Sequence, residues 1–186
     1  NILILLQKSN ITIFDKFVLD KYEGPQILLV YQTKIFSLEN SSFPNNKALC
    51  LTPLVAFIRV EVIQVKICIF LNNIDYKLGV LSIIADSTNL TIFGCNFFSN
   101  TAKGGIVPNS KETKYLSKGG AIHISKSENT TKNNSISIVK NRFENNYADF
   151  GGAIYLDLNI SKLEIENIVN NNSYVSNNAI EGCDYI

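Results

Sequence analysis

Two cysteines are the first residues in this chain whose type and spacing suggest a chemistry. Cys68 and Cys95 each lie two residues before a phenylalanine, Phe70 and Phe97. If the chain repeats with that spacing, the thiols take equivalent places in neighbouring units, with Cα atoms about 5 Å apart, which permits a disulfide. The alternative is that both stay reduced and serve as small apolar core residues.

Metal and cofactor chemistry finds no support in the sequence. Cys50 and Cys183 have no evident partner, and the sequence contains neither a C-x-x-C motif nor a cluster of Cys and His. Those are the usual signs of a zinc site. We therefore expect no metal and no cofactor.

Residues that could cleave a polysaccharide are sparse. The only arginines are Arg59 and Arg142, and the only histidine is His123. The alternation around His123 predicts a solvent-exposed side chain that points out of a strand, a placement that seldom indicates catalysis. Asp149 and Asp157 flank a short strand and could meet a calcium ion or a sugar, but two separated carboxylates more often form a solvated face. We expect no catalytic residue.

Composition and charge exclude further classes. The 186 residues carry a formal net charge of +1 and are 46% hydrophobic, so the chain can bury a core but has no field that would attract nucleic acid. The apolar stretch 54–71 is interrupted by Arg59, Glu61, Gln64 and Lys66 on a near period of two. That pattern indicates β-strands rather than a membrane span.

The elements that position these residues belong to a repeat. The frame F-x-x-N-x-A occurs three times, beginning at Phe43, Phe97 and Phe143, and a shorter F-x-x-N begins at Phe70. Ile168 with Asn171 and Phe17 with Asp20 extend the series as weaker copies. The first positions are 17, 43, 70, 97, 143 and 168, so the steps are 26, 27, 27, 46 and 25 residues.

The single long step is explained by an insertion. Residues 103–120 contain two glycine pairs with a polar stretch between them, and removing about twenty residues restores the period. Its residues 106–118, with Tyr115 as the one large aromatic side chain, are our candidate contact loop. The alternative is a neutral loop tolerated at a corner.

Each unit combines short alternating runs with Asn and Gly corners. This repeat pattern predicts an all-β fold, a right-handed single-stranded parallel β-helix of five to six turns. Phenylalanines should stack inside it, ending with Ile168, and asparagines should stack at a corner in left-handed conformation: Asn46, Asn73, Asn100, Asn146 and Asn171. We expect residues 1–186 to form one β-helix segment of a longer protein, with any signal peptide or membrane anchor outside it.

Two paired elements carry a family resemblance. F-x-x-N coupled to G-G-A-I, at Gly119–Ile122 and Gly151–Ile154, resembles the repeats of chlamydial-type polymorphic outer membrane proteins over roughly residues 40–186. The resemblance implies a parallel β-helix displayed at a cell surface and, by analogy, adhesion. A eukaryotic surface protein with similar repeats is an equal alternative.

Sequons for N-glycosylation fit a surface location. The motif N-x-S/T begins at seven asparagines, Asn10, Asn40, Asn89, Asn129, Asn133, Asn159 and Asn171. An Asn-rich composition could generate idle matches, and Asn171 is also assigned to the corner ladder. Asn129 and Asn133 lie in a polar stretch and are the better acceptors.

The sequence therefore predicts a noncatalytic cell-surface or secreted segment for adhesion or structural display. Its partner would be an extracellular glycan or protein, not nucleic acid. A carbohydrate-active β-helix enzyme and a glycan-binding module without turnover are the alternatives.

Overall fold

The chain winds into a β-solenoid of six turns. The structure is a computed structural model that describes residues 2–49, 52–86, 88–104, 116–126, 134–158 and 162–182. Its strands form four parallel sheets that the chain visits in a repeating order, and the described residues include one short helix, α1 (Lys162–Ile168). The predicted parallel β-helix is confirmed, whereas its right-handed sense stays a prediction.

Each turn contributes one strand to each sheet, with few exceptions. The first sheet contains β1 (Ile2–Gln7), β4 (Gln26–Tyr31), β8 (Val55–Ile58), β12 (Leu81–Ala85), β16 (Ile122–Lys126) and β20 (Ile154–Asp157). The second contains β2 (Ile11–Asp15), β5 (Ile35–Glu39), β9 (Val62–Lys66), β13 (Asn89–Phe93) and β17 (Ser135–Val139). The third contains β6 (Ser42–Pro44), β10 (Ile69–Leu71), β14 (Asn96–Phe98), β18 (Arg142–Glu144) and β21 (Ser173–Val175). The fourth contains β3 (Glu23–Gly24), β7 (Lys47–Ala48), β11 (Ile74–Asp75), β15 (Thr101–Ala102), β19 (Tyr147–Phe150) and β22 (Asn178–Glu181).

The predicted aromatic ladder runs through the core. The rings of Phe43, Phe70, Phe97 and Phe143 stack with centroids 4.9 to 5.1 Å apart and planes within 5°. The last place was predicted wrongly, because Tyr174 and not Ile168 stacks on Phe143, at 5.3 Å. Aromatic stacking at this spacing adds to the burial of each ring.

The asparagine ladder beside it satisfies the backbone of a corner. Asn46, Asn73, Asn100 and Asn146 are buried, and each amide nitrogen donates to a backbone oxygen one turn back. The fifth member is Asn177, so the assignment of Asn171 was wrong. The left-handed residues are those immediately before the ladder, at Asn45, Asn72, Ser99 and Asn145, which corrects the expectation that the ladder itself is left-handed.

The first copy of the repeat was placed two residues early. Val18 pairs with Ser42, and the backbone N–H of Tyr22 donates to the side chain of Asn46. Leu19 and Tyr22 therefore occupy the aromatic and asparagine places that were predicted for Phe17 and Asp20.

Two interruptions leave the coil continuous. The helix α1 follows β20 where a second-sheet strand would stand, and Ile165 and Ile168 pack against the core. Within the insertion, the backbone N–H of Lys103 still donates to the backbone carbonyl of Asp75, and Lys118 already pairs with Leu78 and Phe150. Residues 105–115, including the predicted contact residue Tyr115, lie outside the described residues.

The glycine pairs are needed where the fourth sheet turns into the first. Gly119 and Gly151 have φ of 65° and 59°, a region that strains residues with a Cβ. A Cβ on Gly120 would lie 2.1 Å from the carbonyl oxygen of Gly152. The pairs are therefore corners in which backbones approach closely.

Candidate functional site

A column of outward-pointing side chains crosses the first sheet. Ser82 in β12, His123 in β16 and Tyr155 in β20 are in register, as the sequence predicted. Their neighbours along each strand point inward and are buried, including Ile122 and Ile124 at 0% exposure. Alternation along three adjacent strands therefore places three polar side chains in one line.

Two members of this column, Ser82 and His123, are closed to solvent. Ser82 is 3% exposed and His123 is 5% exposed, so the prediction of a solvent-exposed His123 was wrong. The Ser82 hydroxyl lies 3.3 Å from His123 Nδ1, and the imidazole stacks on the Tyr155 ring with centroids 5.9 Å apart. Strand alternation fixed the direction of His123 but not what packs around it.

Burial keeps the imidazole neutral. Burial lowers the pKa of His123 to about 4, the positive charges of Lys118 and Lys77 lower it too, and only Asp157 opposes them. A hydroxyl beside a neutral imidazole is the pair used in nucleophilic catalysis. Both groups are almost completely buried, and the imidazole packs against the Tyr155 ring.

The accessible part of the column combines a ring with two charges. Lys118 Nζ lies 4.5 Å from the centre of the Tyr155 ring and 3.4 Å from a carboxylate oxygen of Asp157. The side chain of Asp157 is 56% exposed and that of Lys118 is 33% exposed. An aromatic ring next to a cation and an anion can contact both apolar and hydrogen-bonding parts of a ligand.

The two aspartates singled out in the sequence are in different places. Asp149 accepts hydrogen bonds from the Ser117 backbone N–H at 2.8 Å and from its hydroxyl at 3.1 Å, which fastens the returning end of the insertion. Asp157 pairs with Lys118 on the first sheet. Across the described ranges, no group of three His, Cys, Asp or Glu side chains could hold a metal ion.

The cysteines belong to a second corner ladder that the sequence reasoning missed. The backbone N–H of Cys68 lies 3.4 Å from Cys95 Sγ, and that of Cys95 donates to the Asn141 side chain at 2.8 Å. Ser41 and Asn172 take the same role in other turns. The frame two residues before each aromatic could have indicated this ladder.

Both thiols are buried, and they are not joined by a disulfide in the structure. Cys68 and Cys95 are free cysteines at 0% exposure, and the thiol–thiol hydrogen bond and burial raise the pKa of Cys95 above its usual range. Their equivalent places are as predicted, while oxidation to a disulfide stays a prediction. Cys50 and Cys183 lie outside the described residues.

The sequons that the structure describes are all at the surface. Asn10, Asn40 and Asn89 are exposed. Asn171 is also exposed, with φ of 53°, because Asn172 and Asn177 take the ladder places. The remaining three, Asn129, Asn133 and Asn159, lie outside the described residues.

A buried carboxylate was not anticipated. Asp75 is 0% exposed and in register with Ala102, and the backbone N–H groups of Leu54, Lys77 and Leu78 donate to its oxygens. Burial raises the pKa of Asp75 to about 7, against the effect of these donors. The F-x-x-N frame continues into it as Asn73-x-Asp75, where other units have alanine.

Comparison with known proteins identified no relative of this chain. No family model, curated protein or solved structure matches the chain. Among the described residues, no helix has the length and apolar character needed to cross a membrane.

Proposed function

We propose that this chain is a noncatalytic β-solenoid segment of a cell-surface or secreted protein, used for adhesion or display. Its contact surface would be the outer face of the first sheet around Tyr155, Lys118 and Asp157. The observation that supports this is the partly exposed ring with its flanking cation and anion, above a buried Ser82–His123 pair. The partner would be an extracellular glycan or protein.

The fold suits such a role for a physical reason. Inward ladders hold the coil together, so outward side chains on its sheets can be chosen for recognition without disturbing the core. The resemblance of the repeats to polymorphic outer membrane proteins supports display at a surface by analogy. The exposed sequons at Asn10, Asn40 and Asn89 are compatible with a secretory route.

The main alternative, a polysaccharide-cleaving enzyme, receives less support. Glycoside hydrolysis ordinarily uses two carboxyl groups that flank the scissile bond. Beside the Tyr155 ring, Asp157 is already paired with Lys118, and the neighbouring His123 and Ser82 are buried.

Binding of the purified chain to arrays of extracellular glycans and cell-surface proteins tests the proposal. We expect selective binding that Tyr155→Ala weakens at least tenfold, because the ring is the centre of the contact. Thr101 is a partly exposed residue on the fourth sheet, so Thr101→Ala is the control variant and should bind like the wild type. Unchanged binding by Tyr155→Ala would move the contact elsewhere.

Incubation with acidic and neutral polysaccharides tests the alternative. Sustained cleavage that is lost in His123→Ala or Asp157→Ala would overturn the noncatalytic proposal. No cleavage together with no array binding would favour a passive stalk.

A further inference from the structure

A shallow, open hollow on the third sheet is lined by both apolar and charged side chains. Its volume is about 270 Å³, and it is lined by Leu71, Phe98, Ser99, Arg142, Glu144 and Asn145. These residues come from three successive turns. The third sheet is separated from the first sheet by the second sheet on one side of the coil and by the fourth on the other, so the hollow is distinct from the Tyr155 surface.

One exchange in a corner ladder explains why the hollow exists. Asn45 Nδ2 donates to Asp20 at 3.0 Å, and Asn72 Nδ2 donates to Asn45 Oδ1 at 3.3 Å. The next turn has Ser99 in this place, also left-handed at φ of 51°. A serine side chain is shorter than asparagine, so the ladder of amides stops and space opens beside it.

The walls offer two kinds of contact. Leu71 and Phe98 are apolar and occupy one outward column of adjacent strands. Arg142 Nη2 lies 2.6 Å from Glu144 Oε2, and its guanidinium lies 5.4 Å from the centre of the Phe98 ring. The charges of this pair cancel, while arginine keeps further N–H donors and the carboxylate keeps further acceptor positions.

This combination matches a neutral sugar ring. A pyranose has an apolar C–H face that packs against aromatic and aliphatic groups, and vicinal hydroxyls that both donate and accept hydrogen bonds. Polar groups at the edge of an apolar hollow fix the orientation of such a ligand. An anionic ligand would be repelled by Glu144, and a purely apolar ligand would displace water from the ion pair without replacing the hydrogen bonds of that water.

We propose that the hollow lined by Leu71, Phe98 and the Arg142–Glu144 pair binds one neutral pyranose residue of a glycan. Leu71 and Phe98 contact the ring face, and the ion pair binds its hydroxyls. This site goes beyond the adhesion surface on the first sheet and does not depend on it. A single sugar in an open hollow binds weakly, with a dissociation constant of about 1 mM or above.

The test is a titration of the isotope-labelled chain with the methyl glycosides of glucose, mannose and galactose, followed by NMR. We expect saturable shifts at the backbone amides of Leu71, Phe98 and Asn145 with at least one of the three. Methyl glucuronide at the same concentrations should shift them at least fivefold less. No saturable shift with any of these neutral sugars, or tighter binding of the glucuronide, would overturn the proposal.

Ser99→Asn is the decisive variant because it should keep the fold. Asparagine accepts the left-handed conformation and would extend the Asn45–Asn72 ladder into the hollow. We expect its shifts on titration to fall at least tenfold, while its thermal midpoint is equal to or above that of the wild type. Undiminished binding in Ser99→Asn would refute the site. Tyr155→Ala should leave these shifts unchanged, which separates a failure here from a failure of the proposed adhesion surface.

Discussion

The asparagine ladder predicts a large loss of stability for a single amide. Asn100 is fully buried, and its Oδ1 accepts from the backbone N–H of Asn73 at 3.2 Å and from the Asn73 amide at 2.9 Å. Its Nδ2 donates to the backbone oxygen of Phe70 at 2.9 Å and to Asn146 Oδ1 at 3.1 Å. Asn100→Ala removes all four bonds and nothing in the buried corner replaces them.

The size of the effect follows from the backbone groups that lose a partner. The Asn73 N–H costs about 1 to 3 kcal/mol when it is buried without a partner. The Phe70 carbonyl keeps a donor in the parallel ladder with β14 and loses its second hydrogen bond, so the free energy of unfolding should fall by about 2 to 4 kcal/mol in total. Asn100→Asp should also be strongly destabilising, because a carboxylate accepts hydrogen bonds but cannot donate to Phe70. Urea denaturation followed by circular dichroism measures both losses.

Asn177→Ala tests the same ladder at its more exposed end, in the last turn. It is 8% exposed, so water can replace part of what its side chain supplies. We expect a loss of about 1 to 2 kcal/mol. If Asn100→Ala lost less than about 1 kcal/mol, the ladder would not be the main source of hydrogen bonds at this corner.

Three further predictions concern strain, titration and thiols. Ile67 is β-branched and 60% exposed at φ of 54°, so Ile67→Asn should stabilise the chain by about 1 kcal/mol in urea denaturation, and a loss would contradict the strain. Because the folded chain resists protonation of His123, whose pKa is lowered to about 4, its contribution to the free energy of unfolding should fall by about 3 kcal/mol as the pH falls from 6.5 towards 4. Because the folded chain resists ionisation of Asp75, whose pKa is raised to about 7, its contribution should fall by about 4 kcal/mol as the pH rises from 3.8 towards 7. His123→Gln should remove the first slope and Asp75→Asn the second, and denaturation between pH 4 and 7 that showed unchanged slopes would contradict these pKa shifts. Nonreducing peptide mapping should recover a Cys68–Cys95 peptide pair from chain produced in an oxidising compartment, and two free thiols there would refute the disulfide.

The inward half of the repeat could be predicted from the sequence because it is strict. Phe43, Phe70, Phe97 and Phe143 each fill the same core place, and stacking at the strand spacing tolerates little change there. The last position of the aromatic ladder was predicted wrongly, because the repeat is no longer strict there. Tyr174 replaces phenylalanine, and α1 lengthens the step before it, so the simple period led to Ile168 instead.

The outward half could be predicted in direction but not in environment. Alternation correctly placed Ser82, His123 and Tyr155 in one column. It could not show that Lys118, from the returning end of an insertion, lies over the Tyr155 ring, or that His123 is buried. Burial of an outward side chain depends on contacts between distant segments, which no local pattern records.

The corner ladders connect these two halves, because one side chain decides both local stability and surface shape. Asparagine at Asn45 and Asn72 closes the corner with a hydrogen bond, whereas Ser99 leaves it open beside Phe98. The exchange to serine that forms the hollow removes one exposed hydrogen bond between side chains, worth about 1 kcal/mol. It leaves the buried ladder at Asn100 intact. Recognition sites can therefore arise at the corners of this coil without weakening its core, and the Ser99→Asn and Asn100→Ala variants should separate binding from stability in adjacent residues.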